Sequence, residues 1–246
     1  MWLALILVFG SVVFWTLFEQ AGSSLNQFAE RNTDLAVGFG QTMTAAQTQS
    51  FNAGFILLFA PAFSALWAWL GRRGMDPTSP NKFALALVQV GAGFLVLVWG
   101  AQFADSSYKV PVIFLALAYL LHTTGELCLS PVGLSQMTKL STPLFLSTVM
   151  AVGVLGRFWG PYLGAIIPGV TAPDTTAGQV VDPKGALETY VRVFQTIGVA
   201  AIVIGLGFWL LEPFMKKLSH GVDDLRGDIA KTEISGDRSS VDLDAI

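Results

Sequence analysis

GELCLSPVGLSQMTKL, residues 125–140, sets a carboxylate, Glu126, inside a stretch otherwise suited to lipid. A charged group facing lipid at that depth costs roughly 2.5 to 3.5 kcal/mol on insertion scales, so it marks a polar cavity or a partner. Between Lys109 and Lys139 only Glu126 and His122 titrate near neutral pH, and the rest of the stretch is apolar or small. Helical spacing places Glu126, Ser130 and Gly133 at i, i+4 and i+7, on one face. Pro131 removes the hydrogen bond to the carbonyl of Leu127 and predicts a bend. Pro131 and Gly133 then read either as a hinge or as a close contact between helices.

The surrounding chain is of the same character. Of 246 residues, 53% are hydrophobic and 13% charged, with a mean hydropathy of +0.60, the composition of an integral membrane protein. About 20 apolar residues cross a bilayer core. Windows of that length lie at residues 2–24, 47–70, 82–103, 110–139, 144–168 and 186–211. The expectation is an all-α membrane protein, a bundle of six transmembrane helices over residues 1–215. The first window has no basic start and no small-residue cleavage pattern, so it reads as a retained helix and not as a secretory signal. The single cysteine, Cys128, excludes an internal disulfide and reads as a packing residue.

Loop charges set an expected orientation. Arg72, Arg73, Lys82, Lys139, Lys216 and Lys217 share the side of both termini, against Arg31, Lys109, Lys184 and Arg192 on the other. That excess puts both ends in the cytoplasm of a multi-pass protein of the cell inner (plasma) membrane. Residues 30–46 and 169–185, rich in Thr, Asp, Gly and Pro, read as outer connections. Residues 216–246 turn polar and Asp-rich and read as a disordered cytoplasmic tail.

Three ionised side chains fall well inside apolar windows: Glu19, Glu126 and Arg157. One reading pairs Arg157 permanently with a glutamate to fix helix packing. The other uses its guanidinium to hold a ligand carboxylate by two parallel hydrogen bonds. No nucleophile with its base, no metal-ligand cluster and no phosphate-cradling glycine loop appears, so an enzyme and a metal site are not expected. Without a basic face, nucleic acid is not an expected partner either.

Three separated stretches carry a family likeness. Residues 125–140 resemble the tenth-helix signature of the proton-dependent oligopeptide transporters, a branch of the major facilitator superfamily. WTLFEQAGSSLNQFAERNTD, residues 15–34, resembles that family's seventh helix and its outer end, and WAWLGRRGMDPTSPNKFALAL, residues 67–87, its link from the eighth to the ninth helix. The likeness runs in order over about residues 2–211. It implies that the chain is the C-terminal six-helix half of a carrier for short peptides. A proton gradient would drive transport, with no cofactor. The N-terminal half has no counterpart here, so a fragment is the expectation. The alternatives are a half-size protein that pairs with a second copy, and a non-transporting membrane protein whose charges pair internally.

The resemblance also implies residue roles. Glu126 matches the carboxylate that meets a peptide's amino terminus and takes part in proton coupling, and Ser130 a polar contact beside it. Glu19 matches an outer-gate acid paired with an arginine of the absent half, Trp15 a pocket aromatic, and Asn52 an asparagine that hydrogen-bonds the peptide backbone. The chemistry stands on its own: a carboxylate for an ammonium, an amide for a peptide group, an aromatic wall for variable side chains. Trp15 also reads as core packing, and Asn52 as a bond to another helix. The chain departs from the family pattern at Gly153, where a pocket tryptophan is usual, at Arg157, where a small or mildly polar residue is usual, and at Ala53, where proline is usual. These departures imply a pocket reshaped for a more anionic or bulkier peptide.

Overall fold

The computed structural model of the protein describes residues 2–38, 40–139, 158–160, 162–171, 175–176, 179–180 and 182–214. The chain opens with helix α1, Trp2–Phe18, which contains no charged residue. One 3-10 turn follows, Glu19–Gly22, and then α2, Ser24–Asn32. The helical run therefore continues past residue 24, where the apolar window ends. Its polar end is held by packing and capping: Leu25, Phe28, Ala29 and Asn32 form one buried stripe. Lys109 Nζ donates to the terminal carbonyls of Glu30 (3.3 Å) and Arg31 (2.7 Å), as a cation at a helix C-terminus should. Asn32 Nδ2 ties the same end to the carbonyls of Tyr108 and Pro183, each at 3.1 Å.

Short strands and a small helix make the first connection. β1, Thr33–Asp34, pairs in parallel with β4, Val110–Pro111, and β2, Ala36–Gly38, pairs antiparallel with β3, Gln41–Thr42. Thr44 and Gln47 form a reciprocal capping box on α3, Ala45–Thr48, which leads into α4, Ser50–Arg72. GRRGM ends α4 in a Schellman turn: Gly74 sits at φ 67°, its N–H reaches the Gly71 carbonyl, and the Met75 N–H reaches that of Leu70. Helix α5 runs over Ser79–Gly100 with a 3-10 extension at Ala101–Phe103, and α6 over Val112–Lys139. Beyond it, residues 158–160 and 162–164 are helical, followed by α7, Ile166–Thr171. β5, Thr175–Thr176, pairs antiparallel with β6, Gln179–Val180, ahead of α8, Pro183–Leu210.

Among the described residues, five helical segments are long and apolar enough to cross a membrane: Ile6–Asn32, Ala45–Arg72, Ser79–Phe103, Val112–Leu129 and Pro183–Leu210. The fold is an all-α membrane bundle. Of the sixth expected span, 144–168, residues 144–157 lie outside the described residues, as does the tail at 216–246.

The bundle's centre is the seam between α5 and α8. A methyl built on Gly91 would lie 2.6 Å from the Gly198 carbonyl oxygen, and one on Gly198 would lie 2.9 Å from that of Gly91. The two backbones touch where neither residue has a side chain, the usual route to close helix packing in lipid. Ala84 and Gly205 extend the contact. Around it, Phe14, Phe28, Phe83, Phe94, Phe194 and Tyr190 are fully buried. Helix α4 is built differently: it has no buried residue, and Leu57 is 80% exposed.

Candidate functional site

Asn52 stands in the first turn of α4 and faces α6. Its Nδ2 lies 3.1 Å from Thr123 Oγ1 and 3.3 Å from Glu126 Oε2, so the amide's two N–H bonds have one acceptor each, one turn apart on α6. Thr123 is fully buried, and its hydroxyl donates to the Tyr119 carbonyl at 2.7 Å. Glu126 and Asn52 are both half-buried. Two residues 74 positions apart, each singled out in the sequence, are thus hydrogen-bonded.

The neighbouring positions divide into packing and polar groups. His122 turns away from the pair toward α5, with Nε2 3.1 Å from the Val90 carbonyl oxygen and its ring 4.8 Å from that of Phe94. Trp15 is 8% exposed and packs edge-on against Phe14 and Phe18. Gly160 lets another helical segment close over it, since a methyl there would lie 2.7 Å from Trp15 Cβ. The structure therefore packs Trp15 into the hydrophobic core. Gln20, on the 3-10 turn, is fully buried and satisfied: Nε2 donates to Thr16 and Gly164 carbonyls, while Oε1 accepts from Ser23 and Ser24. Glu19, its neighbour, is partly exposed, and its carboxylate has no hydrogen-bond or ion-pair partner among the described residues.

Ser130, Pro131 and Gly133 lie on the continuous helical backbone of α6, but their side chains are outside the described part. Arg157 and Gly153 are outside the described residues altogether. The sequence alone does not distinguish Thr123, although its place one turn before Glu126 on the same helix is a usable signal.

A second polar cluster lies at the opposite end of α4. Lys82 Nζ is 2.7 Å from Asp76 Oδ1 and 4.6 Å from the centre of the Trp67 ring, with Lys82 only 6% exposed. Thr78 Oγ1, in the same link, donates to Glu212 Oε1 at 3.0 Å. By sequence Lys82 belongs with the loop charges, whereas the short link folds it beneath Trp67 of α4.

Comparison with known proteins identifies relatives. A protein-family model described as "PTR2: POT family" matches residues 1–186. The chain is 33% identical over 218 residues to an uncharacterized transporter, YclF, of Bacillus subtilis (strain 168), covering 88% of this chain and 40% of that protein. It is 31% identical over 233 residues to dipeptide and tripeptide permease A of Escherichia coli (strain K12), covering 94% of this chain and 45% of the permease. The chain thus spans less than half the length of these relatives. Among solved structures, a peptide transporter POT in complex with sulfate superposes with a TM-score of 0.75 at 33% identity, over 88% of this chain and 40% of that one. A POT family transporter in complex with 5-aminolevulinic acid superposes with a TM-score of 0.71 at 27% identity, over 85% of this chain and 40% of that one.

Proposed function

The chain belongs to the POT family, and from that premise we propose that it supplies the C-terminal six-helix half, residues 1–215, of a proton-coupled carrier of short peptides. Its place is the cytoplasmic (inner) membrane, with both termini and the tail at 216–246 cytoplasmic. The complementary N-terminal half completes the cavity, and rocking of one half against the other alternates access to it. Relatives named dipeptide and tripeptide permeases support the substrate class.

The observation that carries the reading is the hydrogen bond from Asn52 to Glu126. It holds a carboxylate and an amide on one patch where two helices meet, half-open to an entering molecule. Glu126 receives the peptide's ammonium, and Asn52 bonds its backbone. Ser130 extends the same face, and Trp15 backs the wall. Arg157 holds the ligand's carboxylate or partners Glu126. Glu19 forms the gate with a cation of the other half. A proton settling on Glu126 or Glu19 weakens the ion pair that closes one side, and bending of α6 at Pro131 and Gly133 accompanies the switch. Because proton affinity depends on each group's surroundings, it differs between the two open states, and that difference couples the gradient to uphill movement.

The test is competition for dipeptide uptake by the complete transporter in proteoliposomes, acidic outside and negative inside. An N-acetylated dipeptide lacks the ammonium and is expected to compete at least about tenfold less well than the free one, the scale of a charge-assisted hydrogen bond. Equal competition overturns the assignment of Glu126.

A further inference from the structure

Thr123 is fully buried on α6, one turn before Glu126. Its only hydroxyl proton is committed to the Tyr119 carbonyl at 2.7 Å, so toward Asn52 it can act only as an acceptor. Glu126 Oε2, as a carboxylate oxygen, is likewise an acceptor. Two acceptors side by side admit the NH2 end of the Asn52 amide and repel its carbonyl end. Rotating the amide by half a turn would set Oδ1 against both oxygens and leave both N–H bonds unused. We infer that Thr123 is a positioning residue: it fixes which way round the Asn52 amide is held, so that Asn52 Oδ1 is turned from α6 and presented to the ligand as an acceptor for an N–H group.

The inference rests on the peptide-carrier reading and sharpens it. Among the described residues Asn52 Oδ1 has no partner, while both of its N–H bonds are in use. A ligand that approaches this half-buried amide therefore meets a hydrogen-bond acceptor beside the Glu126 carboxylate. Both groups select N–H donors, the chemistry of a peptide's ammonium and of its backbone amides. Thr123 itself, fully buried, touches no ligand. Its effect passes through Asn52 alone.

The experiment compares wild type, Thr123→Val, Thr123→Ala and Thr123→Ser in the complete transporter, measuring dipeptide KM and maximal rate with membrane levels quantified. Valine keeps the shape and removes the acceptor, so KM is expected to rise about five- to tenfold, with the maximal rate held to within about twofold, since the lost bond serves binding. Alanine should behave as valine does, and it stands in if valine fails to reach the membrane. Serine keeps the hydroxyl and should restore the wild-type KM. A KM in the valine and alanine variants equal to wild type overturns the inference, as does a serine variant as impaired as valine. Wild type that accumulates no peptide overturns the parent reading and this inference with it, whereas an active wild type with indifferent variants overturns the inference alone.

Discussion

Helices α4 and α5 are nearly the same length and equally free of charge in their interiors, yet they are held in opposite ways. Helix α5 lies at the centre, its glycines pressed against α8 and its aromatic residues fully buried. Helix α4 has no buried residue: Phe51, Phe55, Phe63 and Trp67 pack half-buried against the core, and polar groups join its two ends to the bundle. Asn52 binds α6 at one end, and Trp67 lies over Lys82 at the other, with Pro61 between them. A lipid solvent makes this possible. Without a hydrophobic force between helices, close backbone contact and polar bonds decide what stays together. The seam of α5 and α8 is therefore scaffold, and α4 is attached through half-buried aromatic contacts and through polar groups that include the candidate site.

Breaking the seam should cost most. Gly91→Val introduces atoms where the Gly198 carbonyl oxygen and Ile202 Cγ1 would lie 2.6 and 2.8 Å from the first added carbon. An overpacked contact between backbones is expected to destabilise the bundle by about 2–3 kcal/mol, read as a lowered melting temperature of the purified chain in detergent. An unchanged melting temperature would show that the two helices are not in contact there.

Releasing the far end of α4 should cost less. Lys82→Met takes the cation away from both Asp76 and Trp67, and a loss of about 1–2 kcal/mol is expected in the same melt. The companion Lys82→Met, Asp76→Asn pair should recover part of it, because the carboxylate that lost its cation is then neutral as well. A double variant as unstable as the single one would remove the ion pair as the cause. Smallest of all is Leu57→Ala, on the open face of α4. At a side chain so exposed, this change should move stability by less than about 0.5 kcal/mol. A loss of the size seen at Gly91 would mean that α4 is covered by another part of the chain.

The contrast between these helices also marks what could be read in advance. The membrane class was legible because apolar runs of bilayer length would not stay dispersed in water, and Glu126 stood out because a carboxylate in such a run is costly. Which helix lies in the centre was not legible, since apolar residues serve equally well against lipid and against protein. The small residues on α5 and α8 were the available sign: Gly91, Gly198 and Gly205 meet backbone, whereas Gly54 on α4 meets nothing. The apolar window ends at residue 24 while the helix runs on to Asn32, because this polar end depends on Lys109 and Asn32, contacts that span the chain. Asn52 and Glu126 were each visible as types, but their bond depends on how α4 meets α6. Thr123 passed unnoticed because a threonine inside a helix normally bonds only its own preceding turn, and here it does that and accepts from Asn52 as well.

The central claim is that Glu126 couples proton movement to peptide movement, and Glu126→Gln tests it directly. Glutamine keeps the shape and an acceptor for Asn52 but cannot take up or release the proton. In proteoliposomes bearing the complete transporter, the variant is expected to exchange labelled for unlabelled dipeptide while failing to concentrate it under an imposed proton gradient. Accumulation by the variant to the wild-type level, with the same dependence on the gradient, would contradict the account.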